Sequence, residues 1–465
     1  MKTRILILEL AFVVLFVMAG HNMARATIDL TEDGTLTLTG FVRTELCAHI
    51  ASRNPNNNYD DNNDFNLFRN FFQTEVSYKP TTNFEIFTKL RFTGDQTADI
   101  DSEVDDYNAF PVSVPSSNWT LMKTDEDDFR AEIWELYADL RIQDLWLRMG
   151  KQQIVWGEMI SSRIMDLINP LDLSWNFMFE PEEYENIRIP NWSIRGSYLM
   201  RLPFRWIKDV TIEGFLNPGD ILPTQNAEPG APFNLIPQLP PFLRFTEKDR
   251  RGDIEYGLRI GGFINDLFYV TLNYLHLYTD SGYSVFRGLT PDSTFGVPFL
   301  ADTGDFTPYA QLLDTRYPSI DVYGLNFNYA FAPPLDTVVS VEATWTPEQP
   351  YGDAGSNFSN IVDQGTFNSA IRFDRKTFVF PDSSAMMVQL QFNYTLREGD
   401  EDDLLGTGGS KVDKSDSTVA LILSQPFWHD DIKVGFNVIY NTDGASYIKP
   451  SFMFNRGDHW YFDVW

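Results

Sequence analysis

The sequence predicts an all-β protein, a transmembrane antiparallel β-barrel of 16 to 18 strands, and three observations support this prediction. Apolar and polar residues alternate with period two over most of the chain, which is typical of strands with two unlike faces. Short turns alternate with long connections between strands of about ten residues, as in bacterial outer-membrane barrels. Beyond residue 26, no segment reaches the roughly 20 apolar residues that a membrane helix needs.

The clearest alternating segment is 384–397, and similar alternation occurs in 253–262, 266–273 and 431–441. A soluble β-sandwich would show the same pattern, with its apolar face in the core. The number of strands and the regular exchange of short and long connections favour the barrel, because only a closed sheet leaves no unpaired backbone edge in lipid. The apolar positions of the clearest segment are Val388, Leu390, Phe392, Tyr394 and Leu396.

The connections also predict how the barrel is oriented in the membrane and whether its number of strands is even. Turns such as 143–144 are short, whereas 95–128 and 158–190 are long, so the short side would face the periplasm and the long side the exterior. The alternation gives 17 strands, but an even number returns the C-terminus to the periplasm. Either the last short piece, 459–465, is not a strand, which gives 16 strands, or a final strand is missing from this sequence and the parent barrel has 18.

Residues 132–156 are predicted to form a hairpin with a two-residue turn. Trp134 begins the apolar face of the first strand. In the second strand the alternation changes phase at Gly150, where we predict a β-bulge, because glycine has no Cβ to forbid the required dihedral angles. Beyond the bulge, Ile154 and Trp156 would continue the apolar, lipid-facing side.

The N-terminal residues 1–26 have the features of a secretory signal peptide: two basic residues, an apolar run and the pattern Ala24-Arg25-Ala26. Cleavage before Thr27 would leave residues 27–465 as one barrel domain, exported to the bacterial outer membrane. The expected partners of such a barrel are the barrel assembly machinery, outer-membrane lipid and lipopolysaccharide.

Charge and composition argue against several classes of function. The formal net charge is −29, which argues against nucleic acid as a partner, because phosphate contacts require lysine and arginine. The single cysteine, Cys47, leaves no intrachain disulfide. Zinc, nucleophile-elbow and phosphate-loop motifs are missing from the sequence. We therefore expect neither an enzyme nor a cofactor.

Charged residues of both signs fall on the polar faces of the predicted strands and on the loop that follows them. In a barrel of this size the lumen holds water, so charges there can act as a selectivity lining. Salt bridges that stiffen the wall would require the same mixture of signs. The lumen and constriction candidates are Glu135, Asp139, Arg141, Arg148, Lys151, Gln153, Glu158, Arg163 and Asp166.

The segment 158–190 differs from the strands around it. Apolar residues from Ile164 to Leu171 have helical spacing, and Asn169-Pro170 would end the helix. We predict that this partly helical loop folds inward as a constriction or plug, because its apolar stripe needs cover. An exposed extracellular cap is the alternative.

The loop 95–128 is strongly acidic. Hard cations bind clusters of carboxylate oxygens, so a divalent metal at Asp99, Asp101 and Glu103 is one interpretation. The spacing lacks the glycine and the distal glutamate of an EF-hand loop. Solvated loop charge is therefore the simpler interpretation.

Three sequence blocks, 135–158, 163–173 and 188–198, resemble an outer-membrane β-barrel family that is catalogued only as a domain of unknown function. Members of that family are often encoded beside RND-type exporters. The resemblance implies a porin-like channel that passes amphiphilic or hydrophobic solutes and cooperates with such an exporter. A non-conducting structural or adhesion barrel, whose extracellular loops carry the function, is the alternative.

Overall fold

The structure is a computed structural model that describes most of the chain. The predicted signal peptide lies outside the described residues except for Ala26. The described residues are 26–48, 65–96, 124–126, 129–173, 184–204, 206–218, 224–226, 243–247, 254–265, 267–291, 297–300, 306–353, 355, 360–380, 384–399, 404–406, 411–442, 444, 446–456 and 460–464.

The described part of the chain is built almost entirely from strands, with a single four-residue helix, α1 (Tyr184–Ile187). Among its residues no helix is long and apolar enough to cross a membrane. The strands are β1 (Ala26–Asp29), β2 (Leu36–Ala48), β3 (Phe65–Thr81), β4 (Phe84–Asp95), β5 (Thr124–Glu126), β6 (Phe129–Ile142), β7 (Leu145–Gln152), β8 (Asp172–Leu173), β9 (Asn191–Met200), β10 (Ile207–Asn217), β11 (Gln225–Asn226), β12 (Leu243–Glu247), β13 (Glu255–Ile264), β14 (Phe268–Tyr278), β15 (Tyr283–Pro291), β16 (Val297–Leu300), β17 (Phe306–Arg316), β18 (Ser319–Ala330), β19 (Thr337–Asp353), β20 (Ile361–Thr377), β21 (Met386–Arg397), β22 (Leu404–Leu405), β23 (Ser415–Phe427), β24 (Ile432–Asn441), β25 (Ser446–Arg456) and β26 (Trp460–Val464).

Twenty of the described strands form one antiparallel sheet, which confirms the predicted all-β fold class. Without the short flanking strands β5 and β22, which pair with β6 and β19, 18 strands follow one another as neighbours. The last short piece is a strand, because β26 pairs with β25. Within the described ranges no hydrogen-bonded pairing joins β1 to β26, so the sheet has two ends.

The two faces of the sheet are buried in the opposite sense to those of a water-soluble protein. On β14 the side chain of Leu272 is 62% exposed, whereas Thr271 and Asn273 on the opposite face are buried. The same holds on β21, where Phe392 is exposed and Gln391 is buried. The alternation predicted from the sequence is therefore present, with its apolar side outward, which suits contact with lipid.

Aromatic rings mark both ends of the outward face. Tyr256 on β13 stacks on His276 of β14, with ring centroids 5.0 Å apart, and Phe268 at the other end of β14 stacks on Tyr329 at 4.8 Å. The eight residue steps between Phe268 and His276 span about 26 Å at roughly 3.3 Å per residue. That length is close to the apolar band of about 25 Å, edged by aromatic residues, of outer-membrane barrels.

The predicted bulge at Gly150 is wrong. Pairing of β7 with β6 and β9 continues through Gly150 without a register shift, although its φ of 138° is in the region that favours glycine. The bulge lies on β6 instead, because Lys89 pairs with Glu135 and the next residue of β4 pairs with Ile133. Trp134 is the extra residue, and its ring turns inward, where it is 2% exposed.

Two further groups of strands lie outside the large sheet and were not predicted. Strands β12, β15, β16 and β17 form a four-stranded sheet within connections that were predicted to be long loops. Strand β8 pairs with β11 in parallel. All of these strands lie within the long connections between strands of the large sheet.

Candidate functional site

A segment between the neighbouring strands β7 and β9 lies against the polar, inward face of the sheet. We call residues 153–173 and 184–190 the inner segment and the strands that it contacts the wall. It contains the described part of the loop 158–190 that was predicted to fold inward, and its contacts with the wall confirm that direction.

The helix predicted within residues 164–171 is wrong, and the described helix is α1, further along the segment. Backbone N–H groups in and beside this region bind side chains of the wall that are far away in the sequence. The N–H of Met165 donates to Glu342 at 3.2 Å and that of Ile160 to Gln391 at 2.9 Å. The apolar spacing that suggested a helix reflects packing against the wall.

The inner segment carries an apolar cluster into the interior. Ile154 and Trp156 are 1% and 0% exposed, so the prediction that they face lipid is wrong. The indole N–H of Trp156 donates to the Glu213 carboxylate at 2.5 Å, which satisfies its polar atom. The buried members of the cluster are Ile154, Trp156, Met165 and Ile168 of the inner segment and Phe215, Leu275, Leu277 and Val322 of the wall.

Two wall glycines make room for this cluster. A Cβ at Gly257 would lie 2.5 Å from the Phe215 ring and 3.1 Å from that of Trp156. A Cβ at Gly324 would overlap the sulfur of Met165. Since proteins pack at close to crystal density, these positions accept large side chains of the inner segment only because the wall residue has none.

Hydrogen bonds fix the inner segment to β18, β19, β20 and β21. The Glu342 carboxylate accepts the N–H groups of Glu158 and Met165. Asn328 donates to the Glu158 carboxylate at 2.8 Å, and Arg372 donates to the Glu158 carbonyl. Ser162 donates to Asn393 at 2.8 Å. Glu158 is therefore held through its backbone and its side chain.

On the opposite side, charged and polar contacts tie the inner segment to β4 and β6. The ammonium of Lys89 lies 3.1 Å from the Glu185 carboxylate, and the Arg130 guanidinium lies 2.8 Å from Asp172. Arg91 donates to the carbonyl of Asn186 at 2.7 Å. Partial removal from bulk water acts against the charged carboxylate of Glu185, whose side chain is still 73% exposed, but Lys89 together with Arg91 and Arg188 outweighs it and lowers the pKa of Glu185.

These two sets of contacts determine the shape of the sheet. Strands β4 and β21 are separated by nine other strands along the pairing path, yet both contact the same short segment. A flat sheet with strands about 4.8 Å apart would place them roughly 50 Å apart. The sheet therefore curves around the inner segment, and the polar face is the inside of the curve.

The inner segment is also tied to itself. Arg163 donates to the Asp166 carbonyl at 2.8 Å, and Arg188 donates to the Asp166 carboxylate at 2.7 Å. Arg163 also donates to the carboxylate of Asp280, which lies outside the segment just after β14, at 2.9 Å. Asn169 accepts the N–H of Ile154 at 2.7 Å through its side chain. Side-chain hydrogen bonds therefore fix the turns of the segment in place of the backbone hydrogen bonds of a helix.

The remaining candidates from the sequence lie in different surroundings. Glu135 is buried 3.7 Å from Lys89, and Asp139 pairs with Arg148 at 2.7 Å. Lys151 donates to the Ile133 carbonyl at 2.8 Å, and Gln153 donates to the Glu185 carbonyl at 2.7 Å. Arg141 is exposed next to the turn between β6 and β7 and is not part of the interior cluster.

The candidate metal ligands Asp99, Asp101 and Glu103 lie outside the described residues. Within the described ranges no group of three acidic, histidine or cysteine side chains is arranged to hold a metal ion.

Several interior contacts were not predicted from the sequence. Alternation placed Gln391 and Glu342, a lumen-facing candidate, on inward polar faces, but nothing in the sequence singled out Glu342 as the acceptor of two backbone N–H groups. Asn169 and Asn186 were missed completely. Amide side chains that bind backbone leave no periodic signal, because each position is set by one local contact.

The curved antiparallel sheet with an outward apolar face and an occupied interior defines the class of this protein, an outer-membrane-type β-barrel. The chain belongs to the family described as Protein of unknown function (DUF1302), which matches residues 6–456. This agrees with the resemblance identified from the sequence. Among curated proteins none matches the chain.

Solved outer-membrane proteins show a distant similarity. Pseudomonas aeruginosa OccK8 (OprE) has a TM-score of 0.42 and 10% identity over 92% of this chain and 91% of its own. Salmonella typhi OmpF, in complex with daunomycin, has 0.41 and 10% over 89% and 92%. The outer membrane channel DcaP of Acinetobacter baumannii has 0.40 and 8% over 89% and 94%. At these values we base the functional proposal on the contacts of the chain itself.

Proposed function

We propose that the chain is a porin-like channel of the bacterial outer membrane whose lumen is narrowed by the inner segment. The outward apolar face, edged by aromatic rings at about the thickness of a membrane, supports insertion in lipid. Lipopolysaccharide and outer-membrane lipid would cover that face, and the barrel assembly machinery would insert it.

The observation that carries the channel proposal is the uneven filling of the interior. Where the inner segment contacts the wall, the interior carboxylate of Glu342 is 1% exposed. On β2 and β3, interior side chains keep contact with solvent: Arg43 is 14%, Glu45 28% and Glu75 32% exposed. Since charges in a wide barrel remain hydrated, a water path beside the inner segment is expected along these strands.

The lumen candidates would act in two ways in such a channel. Glu158, Arg163 and Asp166 would hold the inner segment in place. Glu135 and its partner Lys89 would contribute charge near the path, since interior charge rings select among solutes.

Amphiphilic or hydrophobic solutes fit the residues beside this path. On the inward face of β2 and β3 the rings of Phe41 and Phe71 lie 5.7 Å apart, and the Arg43 guanidinium lies 5.2 Å from the Phe71 ring. Such a surface offers apolar contact and charge together. Cooperation with an RND-type exporter remains a prediction from the family resemblance, and co-purification of the two after cross-linking in cells would test it.

Single-channel recording in planar lipid bilayers tests the channel proposal. Glu45 lies on the inward face of β2 and is 28% exposed, and its neighbour Leu46 lies on the outward face. We expect the wild type to conduct, Glu45→Trp to conduct less because it fills the path, and Leu46→Trp to match the wild type. Equal conductance of the two variants would contradict a path along β2.

A non-conducting structural or adhesion barrel is the second candidate, because the inner segment is fixed to the wall on two opposite sides. Conductance also separates these functions. If neither the wild type nor a variant with a loosened inner segment, such as Trp156→Ala, ever conducts in bilayers, the channel proposal fails and the second candidate is favoured.

A further inference from the structure

Arg91 on β4 is a buried cation that lies between aromatic rings in the interior. Its side chain points into the barrel and is buried, at 4% exposure. Its guanidinium carbon lies 3.8 Å from the ring centroid of Trp134 and 5.6 Å from that of Phe71. The inward turn of Trp134, which results from the bulge on β6, therefore builds one side of an aromatic pocket around the guanidinium.

All hydrogen-bond partners of this guanidinium are neutral. Its Nε donates to the Gln73 side chain at 3.0 Å, and its two terminal nitrogens donate to Asn186 at 2.7 and 3.1 Å. Glu132 and Glu135 act on it through space, but in the described part of the chain no carboxylate forms an ion pair with it. A buried charge without such a partner is uncommon, because burial removes its hydration.

Asn186 supplies two oxygens to two nitrogens of the guanidinium, one from its backbone carbonyl and one from its side chain. A carboxylate binds arginine with the same pairing of two oxygens and two nitrogens, and the charge-assisted bonds are roughly twice as strong as neutral ones. The inner segment thus fills a position suited to an anion with a neutral group. An aspartate there would make the stronger and permanent ion pair.

We propose that Arg91 is the binding site for the carboxylate of an amphiphilic solute, which displaces Asn186 during passage. This rests on the proposed channel function and specifies its solute class. The apolar body of the solute would lie on Phe71 and on Phe41 beside it. Loss of the Asn186 contact would leave α1 held to β4 mainly by the Lys89 and Glu185 pair, so binding and widening of the path are coupled.

Two substitutions of Asn186 are expected to change solute binding in opposite directions. Asn186→Ala removes the competing oxygen of the side chain, so it should strengthen solute binding and raise the open fraction of the channel. Asn186→Asp places a permanent carboxylate beside Arg91 and should weaken solute binding by at least about tenfold. Asn437→Asp adds the same charge to the inward face of β24, away from Arg91, and is the matched control.

The probe is hexanoate, titrated into single-channel recordings of the full-length protein in planar bilayers. Acetate, which lacks the apolar body, and hexylammonium, which has the opposite charge, are the controls. For the wild type we expect hexanoate to change the open fraction at concentrations at least about tenfold below those of either control. Arg91→Gln should abolish this difference, and Arg91→Lys, which keeps the charge without the paired geometry, should reduce it.

The outcomes separate this proposal from the channel proposal. If the protein conducts but Asn186→Ala and Asn186→Asp shift the hexanoate response in the same direction, the carboxylate site is refuted and the channel stands. The carboxylate site is likewise refuted if hexylammonium is as effective as hexanoate, or if Asn437→Asp matches Asn186→Asp. If no variant conducts, the channel proposal itself is refuted. Heat-dependent migration of each variant in detergent gels verifies that the barrel has folded.

Discussion

Trp156 is the residue whose truncation should most directly release the inner segment from the wall. Its side chain is fully buried, its ring packs edge-on against Phe215 with centroids 5.5 Å apart, and its N–H donates to Glu213. In Trp156→Ala the Glu213 carboxylate of the wall keeps a partner, because Arg195 pairs with it at 2.8 Å. The cavity therefore appears between the wall and the inner segment.

The size of the effect follows from this burial. Truncation of a buried tryptophan to alanine costs about 3–5 kcal/mol. Each 1.4 kcal/mol changes an equilibrium about tenfold. If the whole loss falls on the contact between segment and wall, the equilibrium between the seated and the displaced inner segment shifts by roughly 100- to 4000-fold toward displacement.

The assay is the open fraction and conductance of single channels in planar bilayers. Trp206→Ala is the matched control, because Trp206 is 53% exposed on the short connection between β9 and β10 and makes the same chemical change without a cavity. We expect long, larger openings for Trp156→Ala and wild-type behaviour for Trp206→Ala. The same open fraction in both variants would refute the conclusion that the apolar cluster holds the inner segment.

Three further predictions concern other contacts. Glu342→Gln should raise the open fraction about tenfold or more, because an amide oxygen replaces a carboxylate that accepts two N–H groups, a loss of roughly 1.5–3 kcal/mol; an unchanged open fraction in bilayers would count against this anchor. Leu272→Arg should destabilise the protein in lipid vesicles by about 2–4 kcal/mol, as measured by urea unfolding, whereas Asn437→Arg on the inward face should cost far less; equal losses would mean that the faces are assigned wrongly. Acid should loosen the contact between α1 and β4: with its pKa lowered by Lys89, Glu185 stabilises the seated segment fully above its ordinary pKa of 4.5, and this stabilisation is lost as the pH falls through the lowered value. Conductance should therefore rise on acidification in the wild type but not in Glu185→Gln, and parallel pH profiles would contradict the role of this pair.

The strands were predictable from the sequence because each of them repeats a signal. On β14 the outward Leu272 and the inward Thr271 and Asn273 stand in strict alternation, so a one-residue error would have inverted every side chain. The inward direction of the inner segment was predictable for a related reason, since its apolar residues had no lipid-facing strand to join.

The fine structure of the interior was not predictable in the same way. Ile154 and Trp156 are out of phase with the outward residues of β7, which a bulge at Gly150 was expected to correct. The chain has instead left the sheet by then, and their apolar partners come from β10, β14 and β18. The helix predicted between 164 and 171 is absent, and side chains far away in the sequence bind the backbone there: Met165 donates its N–H to Glu342 and Leu171 donates its N–H to Thr224. The bulge at Trp134 depends on the register with β4, a pairing that a single strand does not encode.

The inner segment starts and ends on strands that are direct neighbours, since β7 pairs with β9 along its whole length. Both ends of the inner segment therefore leave the sheet at the same pair of adjacent strands. Withdrawal toward the exterior would break side-chain contacts and the pairing of β8 with β11, and it would leave every hydrogen bond between wall strands in place. The barrel could therefore cycle repeatedly between obstructed and open forms without any partial unfolding of the sheet.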